Sequence, residues 1–480
     1  MTRRRRLLVL GICSMSLFIV AVDNTIVNVA LPAIGADLHA SVSGLQWVVD
    51  AYTLVLASLL MLAGSTGDRL GRRHVFQAGL VTFAVASLLC SLATSLPALV
   101  AARVLQAIAG SMLNPVAMSI ITNTFTDPRE RARAIGVWAG VVGLSLALGP
   151  VLGGILVQAV GWPAIFWVNV PVALLAVALT AAFVPQSRAS RPRRPDPVGQ
   201  VLVLVALAAL TYGIIEGPAA GWVSPRILGC FGLSAAAVTT LVAYERRRTE
   251  PLIELRFFGS VPFAGATVIA VSALAALSGF LFLNSLYLQD VRGFGPLRAG
   301  LTTLPLAAMS LVFAPLSGRL LGARGARPPL VIAGTAMAAG ALLLTDLRRD
   351  TPVGLLLAAY VVFGFGFSMV NSPITYTAVS GMPAAQAGLA AAIASTSRQV
   401  GQSLGVAVAG SVVAAALATP GGTGFPAASH VAWWLVCGAG VLVLVLGLAT
   451  TGARARASAD RVAAGFACVS TVEPARPAAT

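Results

Sequence analysis

Charge is scarce in this sequence, and the residue types that build catalytic or metal centres are few and scattered. Only 10% of its 480 residues are charged, lysine is absent, and there are three histidines and five cysteines. The cysteines show neither paired nor metal-like spacing, which disfavours a disulfide framework or a zinc site. Neither a Walker-type nucleotide loop nor a nucleophile–base constellation is visible. We therefore expect no enzyme, no metal, no cofactor and no direct use of ATP.

Long apolar runs dominate the chain instead. Hydrophobic residues make up 58% of it, and the mean hydropathy is +0.89. A soluble protein of this size cannot hide so much apolar surface from water. Fourteen stretches are long enough to cross a bilayer as helices. Their approximate limits are 7–30, 44–63, 75–95, 97–122, 134–158, 163–184, 199–216, 226–244, 261–288, 300–318, 329–345, 352–376, 389–418 and 430–451. The sequence thus predicts an all-α membrane protein.

Arginine is distributed unevenly between the predicted loops. Loops on the side of the N-terminus hold 25 of the 32 arginines, loops on the other side hold five, and Arg103 and Arg398 lie inside spans. Positive residues accumulate on the cytoplasmic side of membrane proteins, so both termini are predicted to be cytoplasmic. The same distribution disfavours a nucleic-acid-binding surface as the reason for the net charge of +16.

Three charged residues fall inside predicted spans at a common depth. Asp23 lies about seven residues before its helix ends outside, and Asp50 and Arg103 lie about six residues after theirs begin. At 1.5 Å per residue, all three are roughly 9–10 Å inside. A charge at bilayer depth costs roughly 2.5–3.5 kcal/mol on insertion scales, so each needs a partner or a watery cavity. Our hypothesis is a buried cluster in which one or both aspartates hold Arg103 and one acid accepts a proton. The alternative is a static ion pair that locks three helices.

The turn that follows the second span recurs after the tenth. Three of its residues return at a constant offset of 251: Gly67, Gly71 and Arg73 reappear as Gly318, Gly322 and Arg324. A repeated six-helix unit explains this spacing, and repeated halves that rock around a central site are the usual build of secondary transporters. We therefore expect an N-terminal bundle over 1–184, linkers with two extra helices over 185–258, a C-terminal bundle over 259–451 and a disordered cytoplasmic tail over 452–480.

Several motifs resemble those of one transporter family. The segment "GSTGDRLGRR" (64–73) resembles the loop signature of the major facilitator superfamily, and "RVLQAIAGS" (103–111) resembles its fourth-helix motif, with Ala107 where glycine is usual. The segment "GLSLALGPVLGG" (143–154) resembles the fifth-helix motif of exporters. The segment "VDNTIVNVALP" (22–32) resembles the first-helix signature of the fourteen-helix drug:proton antiporters. Further matches at 46–54, 287–305 and 395–407 extend the resemblance over 7–451, although 161–164 lack the Trp-Arg-Trp that relatives usually show.

This resemblance implies the major facilitator fold, with two six-helix bundles and two extra membrane helices. It also implies proton-driven export of hydrophobic drugs, dyes or antibiotics across a bacterial plasma membrane by alternating access. Alternatives within the superfamily are a proton-coupled importer and a metabolite carrier, and a different class is a membrane sensor that binds ligand without transport. The expected partners are hydrophobic small molecules, cationic ones among them, together with protons and the lipid bilayer.

The resemblance further implies roles for two groups of residues. A cytoplasmic gate that holds the inner side shut would comprise Gly64, Gly67, Asp68, Arg69, Gly71, Arg72 and Arg73. A hinge and seal typical of antiporters would comprise Gly149, Pro150, Gly153 and Gly154. For the gate, the alternative is a solvated loop pair worth less than about 1 kcal/mol. For the glycines, the alternative is plain close packing, which small residues permit.

In the superfamily layout, the first, fourth, ninth and twelfth helices would line a cavity between the halves. Candidate lining residues are polar or aromatic side chains inside predicted spans: Asn24, Asn28, Gln106, Asn114, Phe282, Asn284, Phe365, Asn371 and Tyr376. Such a mixture suits a large, weakly polar ligand, since polar side chains inside spans face protein or water and not lipid. Arg398 is also deep within a predicted span, and we assign it no role from the sequence.

Overall fold

The protein is built from helices that are connected by short turns. The computed structural model describes residues 2–189, 195–248, 250–417 and 424–472. Among those residues no β-strand occurs, which confirms the all-α prediction. The α-helices are α1 Arg3–Asp37, α2 Val42–Leu70, α3 Arg72–Ser91, α4 Leu96–Thr124, α5 Pro128–Ala159, α6 Ala164–Trp167, α7 Asn169–Phe183, α8 Pro197–Ala220, α9 Pro225–Glu245, α10 Val261–Leu286, α11 Pro296–Arg324, α12 Arg327–Leu342, α13 Val353–Ser368, α14 Asn371–Val379, α15 Ala384–Leu417, α16 Gly424–Ala449 and α17 Ala453–Val472.

Polar residues mark the starts of several helices within an apolar sequence. The side chains of Ser41, Asp127, Asp196 and Ser224 each accept a hydrogen bond from a backbone N–H in the first turn of the helix that follows. Such caps satisfy donors that would otherwise have no partner. Internal prolines such as Pro150 do not end their helices, because neighbouring helices in a membrane protein can support the freed backbone groups.

The helices form two bundles with one helix pair between them in the chain. In the N-terminal bundle, α4 packs against α2 and α3, and α1 packs against α5. In the C-terminal bundle, α10 packs against α15, and α12 packs against α16 and α13. The extra helices α8 and α9 pack on each other, and α8 also contacts α2 and α15. The predicted domain limits stay a prediction.

Thirteen helices or helix pairs are long and apolar enough to span a membrane among the described residues. The predicted span 329–345 corresponds to α12, which has 16 residues and lies below that length. The predicted span 352–376 is divided between α13 and α14, because the helix is interrupted at Met369 and Val370. The count of fourteen spans and the cytoplasmic position of both termini therefore stay predictions.

The two bundles meet on one side of the molecule and separate on the other. We call the side that carries the first residues of α1 the proximal side and the opposite side the distal side. Toward the distal side, Ser285 donates to the Asn28 carbonyl, and Gln289 donates to the Val29 carbonyl at 2.9 Å. On the proximal side, a Cβ added at Gly140 or at Gly318 would meet no atom within 4 Å. The described hydrogen bonds between the bundles lie toward the distal side, and we interpret the structure as closed distally and open proximally.

The predicted disorder of the tail is wrong over Ala453–Val472, which form the helix α17. Its residues Ala455 and Ala459 are buried, and Ser458 Oγ accepts a hydrogen bond of 2.9 Å from the Val261 N–H at the start of α10. Alanine and arginine have high helix propensity, and small alanines allow α17 to pack closely against the bundle. Residues 473–480 of the predicted tail lie outside the described residues.

Candidate functional site

An ion pair is buried between α1 and α4. The side chains of Arg103 and Asp23 are 1% and 0% exposed, and Arg103 Nη1 donates to Asp23 Oδ2. The same guanidinium donates from Nε to the Val48 carbonyl of α2 at 3.1 Å and lies 4.1 Å from the centroid of the Tyr52 ring. Charge, hydrogen bonds and an aromatic face thus compensate the cost of placing this arginine in the membrane interior.

Uncharged side chains complete the surroundings of Asp23. Its Oδ1 accepts hydrogen bonds of 2.9 Å from Gln106 Nε2 and from Asn169 Nδ2, and Gln106 also donates to Ser87 Oγ at 2.9 Å. Gln106 Oε1 in turn accepts from Arg103 Nη1 at 2.7 Å. Both oxygens of Asp23 are therefore occupied by donors from two helices, α4 and α7, an arrangement that rigidifies a polar core. Sequence reasoning missed Asn169, a lone amide at the start of an apolar run.

Asp50 lies apart from this ion pair. It is fully buried on α2, and Thr53 Oγ1 donates to its Oδ1 at 3.5 Å, while its Oδ2 has no hydrogen-bond partner among the described residues. Its carboxyl group faces Ser403 of α15, whose hydroxyl approaches it without forming a hydrogen bond of normal geometry. Of the two arrangements that the sequence left open, the structure shows Arg103 held by one aspartate, Asp23.

The predicted gate residues form a turn that is held within the N-terminal bundle. Arg72 donates to Asp68 Oδ1 from Nη2 at 2.7 Å and from Nε at 3.0 Å. The Asp68 carbonyl accepts from the Ala189 N–H at 3.1 Å, and the Arg72 N–H donates to the Ser187 carbonyl at 2.9 Å. Gly71 has φ of 106°, a conformation that side chains rarely adopt.

The remaining gate residues lie around the same turn. Gly64 faces Pro115 and Gly67 faces Val116, so both allow α2 to approach α4 closely. Arg73 Nη2 donates to the Ala181 carbonyl at 2.7 Å, and Arg69 is exposed near the end of α2. The partners described here all belong to the first 189 residues, as expected while the proximal side is open.

The predicted hinge residues are packed on two sides. Added Cβ atoms at Gly149 and Gly153 would collide with Thr25 and Ile26 of α1 in the same bundle. An added Cβ at Gly154 would lie 2.6 Å from Leu297 Cα of α11, in the other bundle. A Cβ added at Gly300 of α11 would lie 2.2 Å from the Pro150 carbonyl oxygen. Small residues therefore bring α5 against both α1 and α11 at the distal contact.

The candidate cavity residues fall into two groups. Gln106, Phe282 and Asn284 are 0% exposed and do not face open space in this conformation, and their role in lining a cavity stays a prediction. Asn284 instead accepts a hydrogen bond of 2.5 Å from Tyr360 within the C-terminal bundle. The position of a polar residue in a predicted span gives its depth in the membrane, but it does not show which neighbouring helix the side chain faces.

The other candidates keep some accessible surface or line a small cavity. Asn28 lies at a cavity of about 20 Å³ between the bundles, roughly the space of one water molecule. The remaining partly buried or exposed candidates are Asn24, Asn114, Phe365, Asn371 and Tyr376. Arg398 of α15 joins this group, because its Nη2 donates to Thr375 Oγ1 at 2.6 Å and to the Asn371 carbonyl at 3.3 Å.

Comparison with known proteins places this architecture in a family. A sequence model of the Major Facilitator Superfamily matches residues 13–406, and the chain belongs to that superfamily. The solved structure of a D-xylose-proton symporter aligns over 92% of this chain and 97% of its own, with a TM-score of 0.67 and 15% identity. At this identity the likeness shows the fold alone, and it confirms the predicted major facilitator fold.

Relatives with higher identity carry names that refer to resistance and efflux. The chain is 40% identical to the tetracenomycin C resistance and export protein of Streptomyces glaucescens, over 84% of this chain and 74% of the relative. It is 37% identical to the multidrug resistance protein Stp of Mycobacterium tuberculosis, over 86% of this chain and 76% of the relative. It is 34% identical to the multidrug efflux pump LfrA of Mycolicibacterium smegmatis, over 86% of this chain and 82% of the relative. These bacterial relatives and the apolar helices confirm a multi-pass protein of the bacterial plasma membrane.

Proposed function

We propose that the protein exports hydrophobic drugs, dyes or antibiotics, cationic ones among them, in exchange for protons. The names of the relatives support efflux. One structural observation supports proton coupling: Asp50 is a buried carboxyl group where α2 of one bundle meets α15 of the other, and it has no cationic partner in the part of the chain that the structure describes. A proton that binds at this contact can influence how the two bundles fit together.

The surroundings of the two aspartates favour Asp50 as the proton carrier. Asp23 keeps its negative charge compensated by Arg103 and by two amide donors. Asp50 has no such compensation, and a carboxylate buried without a partner costs several kcal/mol more than its neutral form. In this proposal Asp50 is protonated in the distally closed conformation shown here, and its proton leaves through the proximal opening.

Alternating access then follows from rocking of the bundles about their contacts. In the proximally closed conformation, Asp68 and Arg72 would act as the gate against the C-terminal bundle, and the glycines of α5 would act as hinge and seal. The driving force is sufficient, because a proton that moves down 100 mV supplies about 2.3 kcal/mol and each pH unit supplies about 1.4 kcal/mol. Together these support roughly a several-hundred-fold cargo gradient per proton.

Proton movement triggered by cargo tests this function. The protein is reconstituted into liposomes with a pH-sensitive dye inside and challenged with ethidium and with neutral antibiotics. We expect proton release in the wild type, none in Asp50→Asn, and poor folded yield for Asp23→Asn. Ligand binding without any proton movement would contradict antiport and favour a sensor. Proton and ligand movement in the same direction would favour an importer or a metabolite carrier.

A further inference from the structure

Among the described residues, four charged side chains lie within the membrane-spanning helices and away from the helix ends, and two of these four form an ion pair. Asp23 and Arg103 form the ion pair of the N-terminal bundle. Asp50 and Arg398 remain, opposite in sign, on α2 and α15. Uncompensated charge in a membrane interior is costly and marks functional sites. The positions of Asp50 and Arg398 therefore need a functional explanation.

The helices that carry the two unpaired charges are packed against each other. Gln46 of α2 donates to the carbonyls of Val406 and Ala407 on α15, at 3.1 and 2.7 Å. About one turn further along α2, the carboxyl group of Asp50 faces Ser403. Arg398 lies five residues before Ser403, which is about 7.5 Å along the helix axis. Five residues also turn a helix by about 140°, so Arg398 points toward α14 and the two charges are separated by at least roughly 10 Å across α15.

Only neutral groups hold Arg398 in this conformation. Its Nη2 donates to Thr375 Oγ1 and to the Asn371 carbonyl, whereas its Nε has no hydrogen-bond partner. Among the residues that the structure describes, no carboxylate forms an ion pair with it. Gln399 Oε1 and Gln402 Oε1, on the same stretch of α15, also lack partners. This stretch is polar and partly buried, and several of its polar atoms lack a hydrogen-bond partner among the described residues.

Other charged groups around Asp50 are compensated or distant. On α1 and α4, Asp23 and Arg103 neutralise each other. On α8, Glu216 lies near the distal end and accepts a hydrogen bond of 2.9 Å from Trp47. The charged residues of α3 are confined to its proximal start, where Arg72 pairs with Asp68. Within the described residues, Arg398 is thus the uncompensated cation closest to Asp50 along the helices that pack on α2.

We propose that Arg398 is the counter-charge of Asp50: it stabilises the deprotonated carboxylate and thereby sets the pH at which Asp50 releases its proton. This proposal rests on the proposed function, in which Asp50 carries the proton. When Asp50 is protonated, Arg398 rests on Thr375, as the structure shows. When Asp50 loses its proton, the guanidinium compensates the new charge. Arg398 acts through its charge on the proton affinity of Asp50 and does not itself transfer the proton.

The size of the effect follows from Coulomb's law. At roughly 10 Å and an effective dielectric constant of about 20, a full positive charge shifts the proton affinity of a carboxylate by about one pH unit. Movement of the guanidinium toward the carboxylate would enlarge the shift. Arg398→Gln removes the charge and keeps hydrogen-bonding groups, whereas Arg398→Lys keeps the charge. Thr375→Val removes the hydrogen bond of Arg398 to the Thr375 hydroxyl group and keeps both the arginine and its bond to the Asn371 carbonyl.

Infrared titration of the purified full-length protein measures this shift without any cargo. The C=O stretching band of protonated Asp50 is assigned by its loss in Asp50→Asn and followed with pH. We expect the midpoint of its disappearance to rise by about one pH unit in Arg398→Gln. The midpoint should stay near the wild-type value in Arg398→Lys and in Thr375→Val.

The outcomes separate this inference from the proposed function. If no titrating band is lost in Asp50→Asn, Asp50 carries no proton and the proposed function is wrong about the coupling acid. If the band titrates but its midpoint is unchanged in Arg398→Gln, Arg398 is not its counter-charge. If Thr375→Val reproduces the shift of Arg398→Gln, the arginine acts by holding α14 and the proposal is overturned. Binding of pyrenebutyrate and its methyl ester, measured in the same variants, tests the competing role of Arg398 as a contact for acidic cargo.

Discussion

The Asp23–Arg103 pair is predicted to be a structural requirement of the N-terminal bundle. Arg103→Met leaves Asp23 buried with an uncompensated charge, which costs about 3–5 kcal/mol. We expect a low folded yield and a large fall in Tm, measured by thermal unfolding in detergent. Arg348→Met is the matched control, because its partner Asp346 and Arg348 itself are exposed and such pairs contribute about 0–1 kcal/mol. Equal Tm values for the two variants would contradict a structural role for the pair.

The sequence located this pair by depth but could not orient the helices around it. Counting residues from the helix ends placed Asp23, Asp50 and Arg103 at one height, and two of them do meet. On α2, however, the helix is rotated so that the Val48 carbonyl reaches Arg103 while Asp50 faces α15. Rotation about a helix axis depends on packing with every neighbour, and an apolar sequence all round the helix carries little information about it.

Close packing of α5 against α11 is predicted to keep the distal side closed. In Gly154→Ala the new methyl group would meet the backbone of Leu297 in the other bundle. We therefore expect a population with a longer distance between spin labels at Thr94, in the distal loop before α4, and Gly354, in the first turn of α13 at the distal end of the other bundle. Pulsed electron paramagnetic resonance on a cysteine-free background measures that distance.

Gly140→Ala on the same helix is the matched control for this experiment. A methyl group at Gly140 meets no atom within 4 Å, so this variant should leave the distal distance unchanged. Because alanine is favoured over glycine inside helices, its stability should be equal or slightly higher. A distal distance that lengthens equally in both variants would show that helix propensity, and not the contact with Leu297, controls the closure.

The sequence predicted which segments form helices where an apolar run was long. It predicted them least well where the composition was ambiguous. The tail after Gly452 combines alanine and arginine, a composition compatible with both disorder and helix, and packing of Ala455 and Ala459 decides for the helix α17. The span 352–376 reads as one apolar run, yet the chain breaks the helix at Met369 and Val370. Neither outcome follows from hydropathy, because both depend on contacts with other helices.

The repeat and the motifs predicted the fold of the whole molecule but not its conformation. The recurrence of Gly67 and Gly71 as Gly318 and Gly322 indicated two related bundles, in agreement with the family and the fold. The same motifs are present whichever side is open. Only the contacts of Ser285, Gln289 and Gly154 across the distal side show which conformation the structure represents.

Charge on the proximal side is predicted to oppose closure of that side. Arg69 and Arg72 of the N-terminal bundle and Arg319 and Arg324 of the C-terminal bundle approach each other when the bundles close proximally, and the chain has a net charge of +16. Salt screens such repulsion, because the Debye length falls from about 30 Å at 0.01 M to about 8 Å at 0.15 M.

We expect higher salt to increase the population with a short distance between spin labels at Gly140 and Gly318. The distal distance between Thr94 and Gly354 should lengthen in the same proportion, since rigid bundles that rock exchange one opening for the other. Sucrose of equal osmolality is the control, and equal responses to salt and sucrose would assign the change to osmotic pressure and contradict electrostatic control of the opening.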